Sequence, residues 1–267
     1  MFWTRTVSGA VLVAMSIFFI ITGGDVLLAY IGIISLIGMF ELYRVFHIEK
    51  SYIGVVGYGA CILYYLNFHF HFLLDVPILL MGMMILLMFG YVFAYPKYDA
   101  KQVMAALFGL IYVAFMLSYM YQIRTLSKGV YLTFLVFLCS WGCDTSAYCV
   151  GKLIGKHKMS PLLSPKKSIE GAVGGIVGAA LFTTIYCLVL REALAFDTKK
   201  ILLVSIISTV GALISMIGDL TASAIKRNYD IKDYGKLIPG HGGILDRFDS
   251  IIITAPIIYY LIYYLLS

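Results

Sequence analysis

Charge is what this sequence has least of. Asp, Glu, Lys and Arg make up 13% of its 267 residues while 61% are hydrophobic, and the mean hydropathy is +0.94. A soluble domain carries about a quarter charged residues, so that class is excluded. Proline (six) and tryptophan (two) are also scarce, which leaves long apolar runs with few interruptions. Cysteine supplies no framework. Cys61, Cys139, Cys143, Cys149 and Cys187 are odd in number, lie in apolar runs and lack a CxxC pair, so they read as buried free thiols rather than disulfides or zinc ligands. No cleavable leader is expected, because the first apolar run meets Gly23-Gly24-Asp25 and then another run.

What is present is apolar chain enough for repeated membrane crossings. Nine runs, near 7–22, 26–43, 52–66, 76–95, 103–121, 130–150, 172–190, 201–217 and 251–266, approach the length of about 20 residues that spans a bilayer. The expected fold is all-α, a polytopic integral membrane protein with about nine transmembrane helices. The first two runs are short enough to be two packed helices or one re-entrant hairpin. Placing the N-terminus in the cytoplasm puts fifteen of the 20 Lys and Arg residues inside, Arg5, Arg44, Lys50, Lys97 and Lys101 among them. Only Arg124, Lys128, Arg191, Lys199 and Lys200 then fall outside. This positive-inside bias fixes the expected orientation. It also reads the net charge of +6 as topology and attraction to the anionic lipid bilayer, not as nucleic-acid binding.

Residues 1–125 read as a transmembrane scaffold with scattered polar residues such as Glu41, His69, His71 and Asp75. Residues 126–267 read as the catalytic region, with two polar cytoplasmic loops at 151–171 and 218–250. No internal or inverted repeat argues for a transporter. Four aspartates fall at cytoplasmic span ends: Asp144, Asp219, Asp246 and Asp249. Ionised carboxylates at the bilayer centre cost about 3 kcal/mol each even on a lenient scale, so four near one interface imply a watery cavity, cationic partners or a metal. Oxygen ligands of this kind suit magnesium; pairing with nearby Lys and Arg, or solvation, is the plainer reading. Ser164-Pro165-Lys166-Lys167-Ser168-Ile169-Glu170-Gly171 and Lys226-Arg227 add flexible cationic groups suited to phosphate. As juxtamembrane basic loops they equally serve topology and lipid attraction, and Glu170 suits either a metal or a helix N-terminus. Pro239-Gly240-His241-Gly242-Gly243 makes an irregular backbone whose amides can meet an anion, or simply a turn before a helix.

The run from Ser223 through Lys226-Arg227, Lys232-Asp233, Gly235 and Ile238-Pro239-Gly240-His241-Gly242-Gly243 to Asp246-Arg247-Phe248-Asp249 covers 27 residues. It resembles the signature of the phosphatidate cytidylyltransferases, or CDP-diacylglycerol synthases. Asp144-x-x-Ala147-Tyr148-x-x-Gly151-Lys152, Gly155-Lys156 and the segment Ser164 to Gly171 extend the likeness over about residues 141–249, and Glu41-Leu42-Tyr43-Arg44 stands in a familiar place. Two positions depart: Ala222 stands where bacterial members commonly carry Glu, and Ser168 where Thr is usual. The resemblance implies transfer of CMP from CTP to phosphatidate, giving CDP-diacylglycerol and pyrophosphate. It implies Asp219 and Asp246 as magnesium ligands, with Asp249 and Asp144 as further ligands or supports, around one cation or two. Lys167, Lys226 and Arg227 would hold CTP phosphates or departing pyrophosphate. Ser164, Lys166, Ser223, His241, Gly242 and Gly243 would line the substrate site, and Arg247 would meet the lipid phosphate or form a structural ion pair. A homodimer in the cytoplasmic membrane of a bacterium, with its site on the cytoplasmic side, is the expected setting. Other lipid phosphates as acceptor, a CTP-dependent lipid kinase, an ion-coupled transporter and a non-catalytic lipid-binding scaffold stand as alternatives.

Overall fold

The computed structural model describes residues 2–71 and 75–266; the Arg5 side chain counted in the charge bias lies outside what it describes. The chain folds as α1 (Phe2–Thr22), α2 (Gly24–Val45), α3 (Tyr52–Phe70), α4 (Val76–Phe93), α5 (Ala100–Thr125) and α6 (Gly129–Ile154). A hairpin of β1 (Lys158–Ser160) and β2 (Ser164–Ser168) follows, then α7 (Ile169–Val189), the short α8 (Arg191–Leu194), α9 (Thr198–Asn228) and α10 (Leu245–Leu266). Eight of these, α2 to α7, α9 and α10, are long and apolar enough to cross a membrane, and α1 is apolar over Thr6–Thr22. The nine apolar runs of the sequence thus map one to one onto helices, and the protein is an all-α, multi-pass membrane protein.

The structure separates what the sequence left open or merged. α1 and α2 are two helices of 21 and 22 residues rather than a short hairpin, and the chain reverses between them at Gly23 and Gly24, both with positive φ. Tyr30 of α2 stacks on Phe19 of α1 at 4.1 Å between ring centroids. α9 runs for 31 residues, roughly 46 Å at 1.5 Å per residue and longer than the hydrocarbon layer of about 30 Å. Its last turns therefore carry Asp219, Ser223, Lys226 and Arg227 as helix, and the irregular stretch expected over 218–250 narrows to 229–244. Of the five thiols, four are buried as expected, but Cys149 is exposed.

Two compact units share the chain: Met1–Tyr121 with Asp233–Arg247, and Gln122–Lys232 with Phe248–Ser267. In the first, the wholly buried Tyr43 donates its hydroxyl to Ala106 O at 2.6 Å, in space left by Gly57 and Gly109. Tyr65 donates to Ala114 O at 2.9 Å, within a π-helical turn of α5 (Leu110–Phe115). In the second, α7 presents a buried stripe of Gly171, Gly175, Ala179, Thr183 and Cys187 at four-residue spacing. Small residues at that spacing let helix backbones approach closely in a setting where lipid gives no hydrophobic drive to association. Gly174 packs on Val150, Gly175 on Cys143 and Ala147, and Gly178 on Ser146, all on α6. Hydroxyls then bind α7 to α9, Thr183 to Ser208 at 2.8 Å and Thr184 to Ser205 at 2.7 Å. α7 begins where Ser168 accepts the Gly171 amide at 3.1 Å as an N-cap.

A Cβ on Gly175 would lie 2.9 Å from Cys143 Sγ and 3.0 Å from the Cys143 carbonyl oxygen. Gly175→Leu is therefore expected to lower the thermal midpoint in detergent, at a cost of about 1–3 kcal/mol or more. Gly59→Ala, on α3 with open space around it, is expected to leave the midpoint level or raise it. Equal midpoints for the two variants would refute close α6–α7 packing.

Candidate active site

The second unit gathers cations and acids around one cavity of about 410 Å³. Asp144 comes from α6, Ser164, Lys166 and Lys167 from β2, and Asp219 from α9. The hairpin that carries the lysines is antiparallel, pairing Lys158 with Ser168 and Ser160 with Ser164. Glu170 holds its base: the carboxylate accepts the Lys156 and His157 amides at 3.1–3.3 Å and bonds His157 Nδ1 at 2.6 Å. Glu170 stands in the first turn of α7, the helix N-terminal position read from the sequence, and there it also clamps the hairpin. Lys167 Nζ forms an ion pair with Asp219 Oδ2. Asp249, 6% exposed, accepts the Ser250 amide at 2.8 Å and lies within electrostatic reach of Asp219, Lys226 and Asp144. Ser223 is buried on α9 and Arg227 is exposed near its end.

These three acids, Asp144, Asp219 and Asp249, offer only oxygen, the donor chemistry of a hard divalent cation. Among the described residues, no three His, Cys, Asp or Glu side chains converge into a closed ligand set. Magnesium is usually held by one or two carboxylates with water and substrate phosphate completing its shell, and oxygen donors of this kind are compatible with that mode.

His241, Gly242, Gly243, Asp246 and Arg247 belong to the first unit. Gly240 and Gly242 adopt φ of 77° and 89°, left-handed values that disfavour any residue with a Cβ. Ile238 N and Gly242 O close the turn at 2.9 Å, and His241 Nδ1 bonds Ser8 Oγ at 2.9 Å. α10 begins at Leu245, so Asp246 and Asp249 are both helical. Asp246 Oδ2 accepts the Tyr234 and Gly243 amides at 2.8 and 2.9 Å. Glu41 and Arg44 of α2 also reach this segment: Arg44 donates to Tyr234 O, and Glu41 accepts the Ile244 and Leu245 amides. Sequence reasoning assigned Glu41 to the scaffold. The signal was an ionisable residue inside an apolar run, which by itself marks a polar partner.

A polytopic helical chain with lysines and carboxylates around one cavity has the layout of a membrane enzyme acting on phosphate esters. The chain belongs to the cytidylyltransferase family, whose model matches residues 3–265. It is 32% identical over 266 residues to the phosphatidate cytidylyltransferase of Bacillus subtilis (strain 168), covering 97% of this chain and 96% of that one. Likeness to the phosphatidate cytidylyltransferase of Staphylococcus aureus (strain COL) is 31% over 257 residues, 95% of this chain and 96% of the relative. With the enzyme of the same name from Thermotoga maritima it is 37% over 164 residues, 61% and 60% of the two chains.

Burial draws the Lys167 pKa down, but the adjacent Asp219 charge and hydrogen bond, with Asp144 and Asp249 beyond, outweigh it, so the net shift is upward. The stability this contributes is complete below the ordinary lysine value of about 10.4 and is lost as pH rises through the higher folded value. The difference in thermal midpoint between the native chain and Lys167→Met is accordingly expected to stay flat from about pH 7 to 9 and shrink above about pH 10. For a partly exposed pair it should amount to something on the order of 1 kcal/mol. A difference that grows with pH would contradict the ion pair.

Proposed function

We infer that this protein transfers CMP from CTP to phosphatidate, releasing pyrophosphate and forming CDP-diacylglycerol for phospholipid synthesis. The observation that carries the reading is the Lys167–Asp219 pair in a cavity also lined by Ser164, Lys166 and Asp144; family membership supplies the reaction. One substrate is a soluble triphosphate and the other a two-tailed lipid, so the site lies at the membrane surface. The positive-inside bias supports the cytoplasmic side. A homodimer is carried over from the family resemblance.

The lipid phosphate is already ionised at neutral pH, so its oxygen attacks the α-phosphorus of CTP without a strong general base. The bond to the β-phosphate oxygen breaks and pyrophosphate leaves. Positioning and charge neutralisation then carry most of the catalysis. Lys167 and Lys166 meet the nucleotide's phosphates from β2, and Lys226 and Arg227 add positive charge from the end of α9. Ser164 and Ser223 supply hydroxyls, and the His241-Gly242-Gly243 loop shapes the nucleotide side. Arg247 serves the lipid phosphate. Asp219 and Asp246, with Asp144 and Asp249 as further ligands or supports, would hold magnesium through their carboxylate oxygens. Magnesium, when bound, neutralises charge on the triphosphate and the leaving pyrophosphate.

Purified protein in detergent is expected to convert CTP and phosphatidate to pyrophosphate and CDP-diacylglycerol, and to stop when magnesium is chelated. Asp219→Asn and Asp246→Asn should each lower turnover by about 10²-fold or more while the protein stays folded. Release of CDP in place of pyrophosphate would make the enzyme a lipid kinase. Full turnover in chelator would remove the cation from the reaction.

A further inference from the structure

Glu41 lies within α2, four residues before its end at Val45, and is 3% exposed. Its two carboxylate oxygens accept separate amides, Oε1 from Ile244 at 3.1 Å and Oε2 from Leu245 at 2.8 Å. Leu245 opens α10, so these amides are among those a helix leaves without internal partners. The carboxylate also faces the positive end of the helix dipole. Glu41 thus does, from about 200 residues away in sequence, what an N-cap side chain does locally. The fit is close on both flanks, because a Cβ on Gly235 or on Gly243 would run into the same carboxylate. Further ties hold the segment: Arg44 to Tyr234 O, Asp246 to the Tyr234 and Gly243 amides, and Ser8 to Pro239 O at 3.0 Å and to His241.

We propose that Glu41 is a positioning residue for cytidylyl transfer: its carboxylate fixes the backbone from Gly235 to Asp246, and through that backbone the His241 ring and the Asp246 carboxylate. The proposal rests on the functional reading above. Glu41 touches neither substrate in this role; it sets where the residues that do so stand.

Glu41→Gln keeps the side chain's length but turns an amide donor toward one of the two backbone donors. Glu41→Asp keeps the charge and both acceptors but withdraws them by one methylene. Misplacing a reacting group by about 1 Å can cost on the order of 10²-fold, so kcat is expected to fall roughly 10- to 100-fold in Glu41→Gln and less in Glu41→Asp. kcat/KM should fall with it, the pattern of an interaction felt only in the transition state. A purely structural residue would lower the thermal midpoint and leave kcat per folded molecule unchanged. A folded Glu41→Gln with kcat within twofold of the native chain overturns the proposal. Hydrogen exchange on the unaltered protein tests it without any variant: the Ile244 and Leu245 amides should be as protected as core helix, and rapid exchange there also overturns it. If the unaltered protein makes no CDP-diacylglycerol, the functional reading fails and the proposal with it; normal synthesis beside an unimpaired Glu41→Gln defeats the positioning role alone.

Discussion

Hydrocarbon offers no hydrogen bonds, so every polar group the chain carries into it must be answered by the chain itself. The helices answer their own interior amides and carbonyls, and side chains meet much of what remains, Ser140 Oγ and Ser215 Oγ excepted. In the second unit the answer is hydroxyl to hydroxyl, through Thr183, Ser208, Thr184 and Ser205. In the first it is tyrosine to carbonyl, through Tyr43 and Tyr65. Where a helix begins and the need is for acceptors, the answer is a carboxylate, and Glu41 is the acid that meets α10. Burying that acid is costly unless it is fully bonded, and two amides at a helix N-terminus bond it well. The same constraint governs Asp246, whose Oδ2 accepts two backbone amides.

In the second unit the path from sequence to chemistry runs through residues with almost no side chain. Glycines at 171, 174, 175 and 178 let α7 lie close along α6. That approach leaves Ser168 at the junction, where it caps α7, and Gly151 and Gly155 of the α6 end pack on its hydroxyl. The hairpin leading into the cap therefore has a fixed exit, and Lys167, one residue earlier, meets Asp219. The cap needs an oxygen on Cβ, which serine and threonine both provide; the change from the family's usual threonine leaves that function whole.

How much of this could be read from the sequence depends on how far each signal reaches along the chain. Apolar runs are local, and all nine became helices. The lysine-bearing loop and its aspartates carried their signal in spacing and resemblance, and Asp144, Ser164, Lys166, Lys167 and Asp219 do line one cavity. The apolar run of α9 stops at 217 because charge reads as loop, whereas a helix longer than the bilayer is thick simply continues beyond it, with Asp219 and Lys226 half-buried and Arg227 exposed. Cys149 lies in an apolar run yet is exposed, since a run of apolar residues does not say which side of the helix meets protein. Glu41 was the deepest omission. Its partners are backbone amides about 200 residues away, and backbone groups leave no mark in a sequence.

Ala222 can be weighed on the same footing. It is fully buried on α9, one helical turn beyond Asp219 and one before Lys226. A glutamate there would stand three residues from Asp219, a like-charge neighbour, and four residues before Lys226, the spacing at which Glu and Lys pair well along a helix. It would therefore draw on the Lys226 charge that in this chain acts on the buried Asp249. The second unit already holds Asp144 and Asp219 within electrostatic reach of the buried Asp249, and a fourth acid would add like-charge repulsion, felt most at Asp249. Alanine removes that repulsion and leaves Lys226 to Asp249. The departure from the family pattern thus takes away one carboxylate and keeps the charge balance of the three that remain.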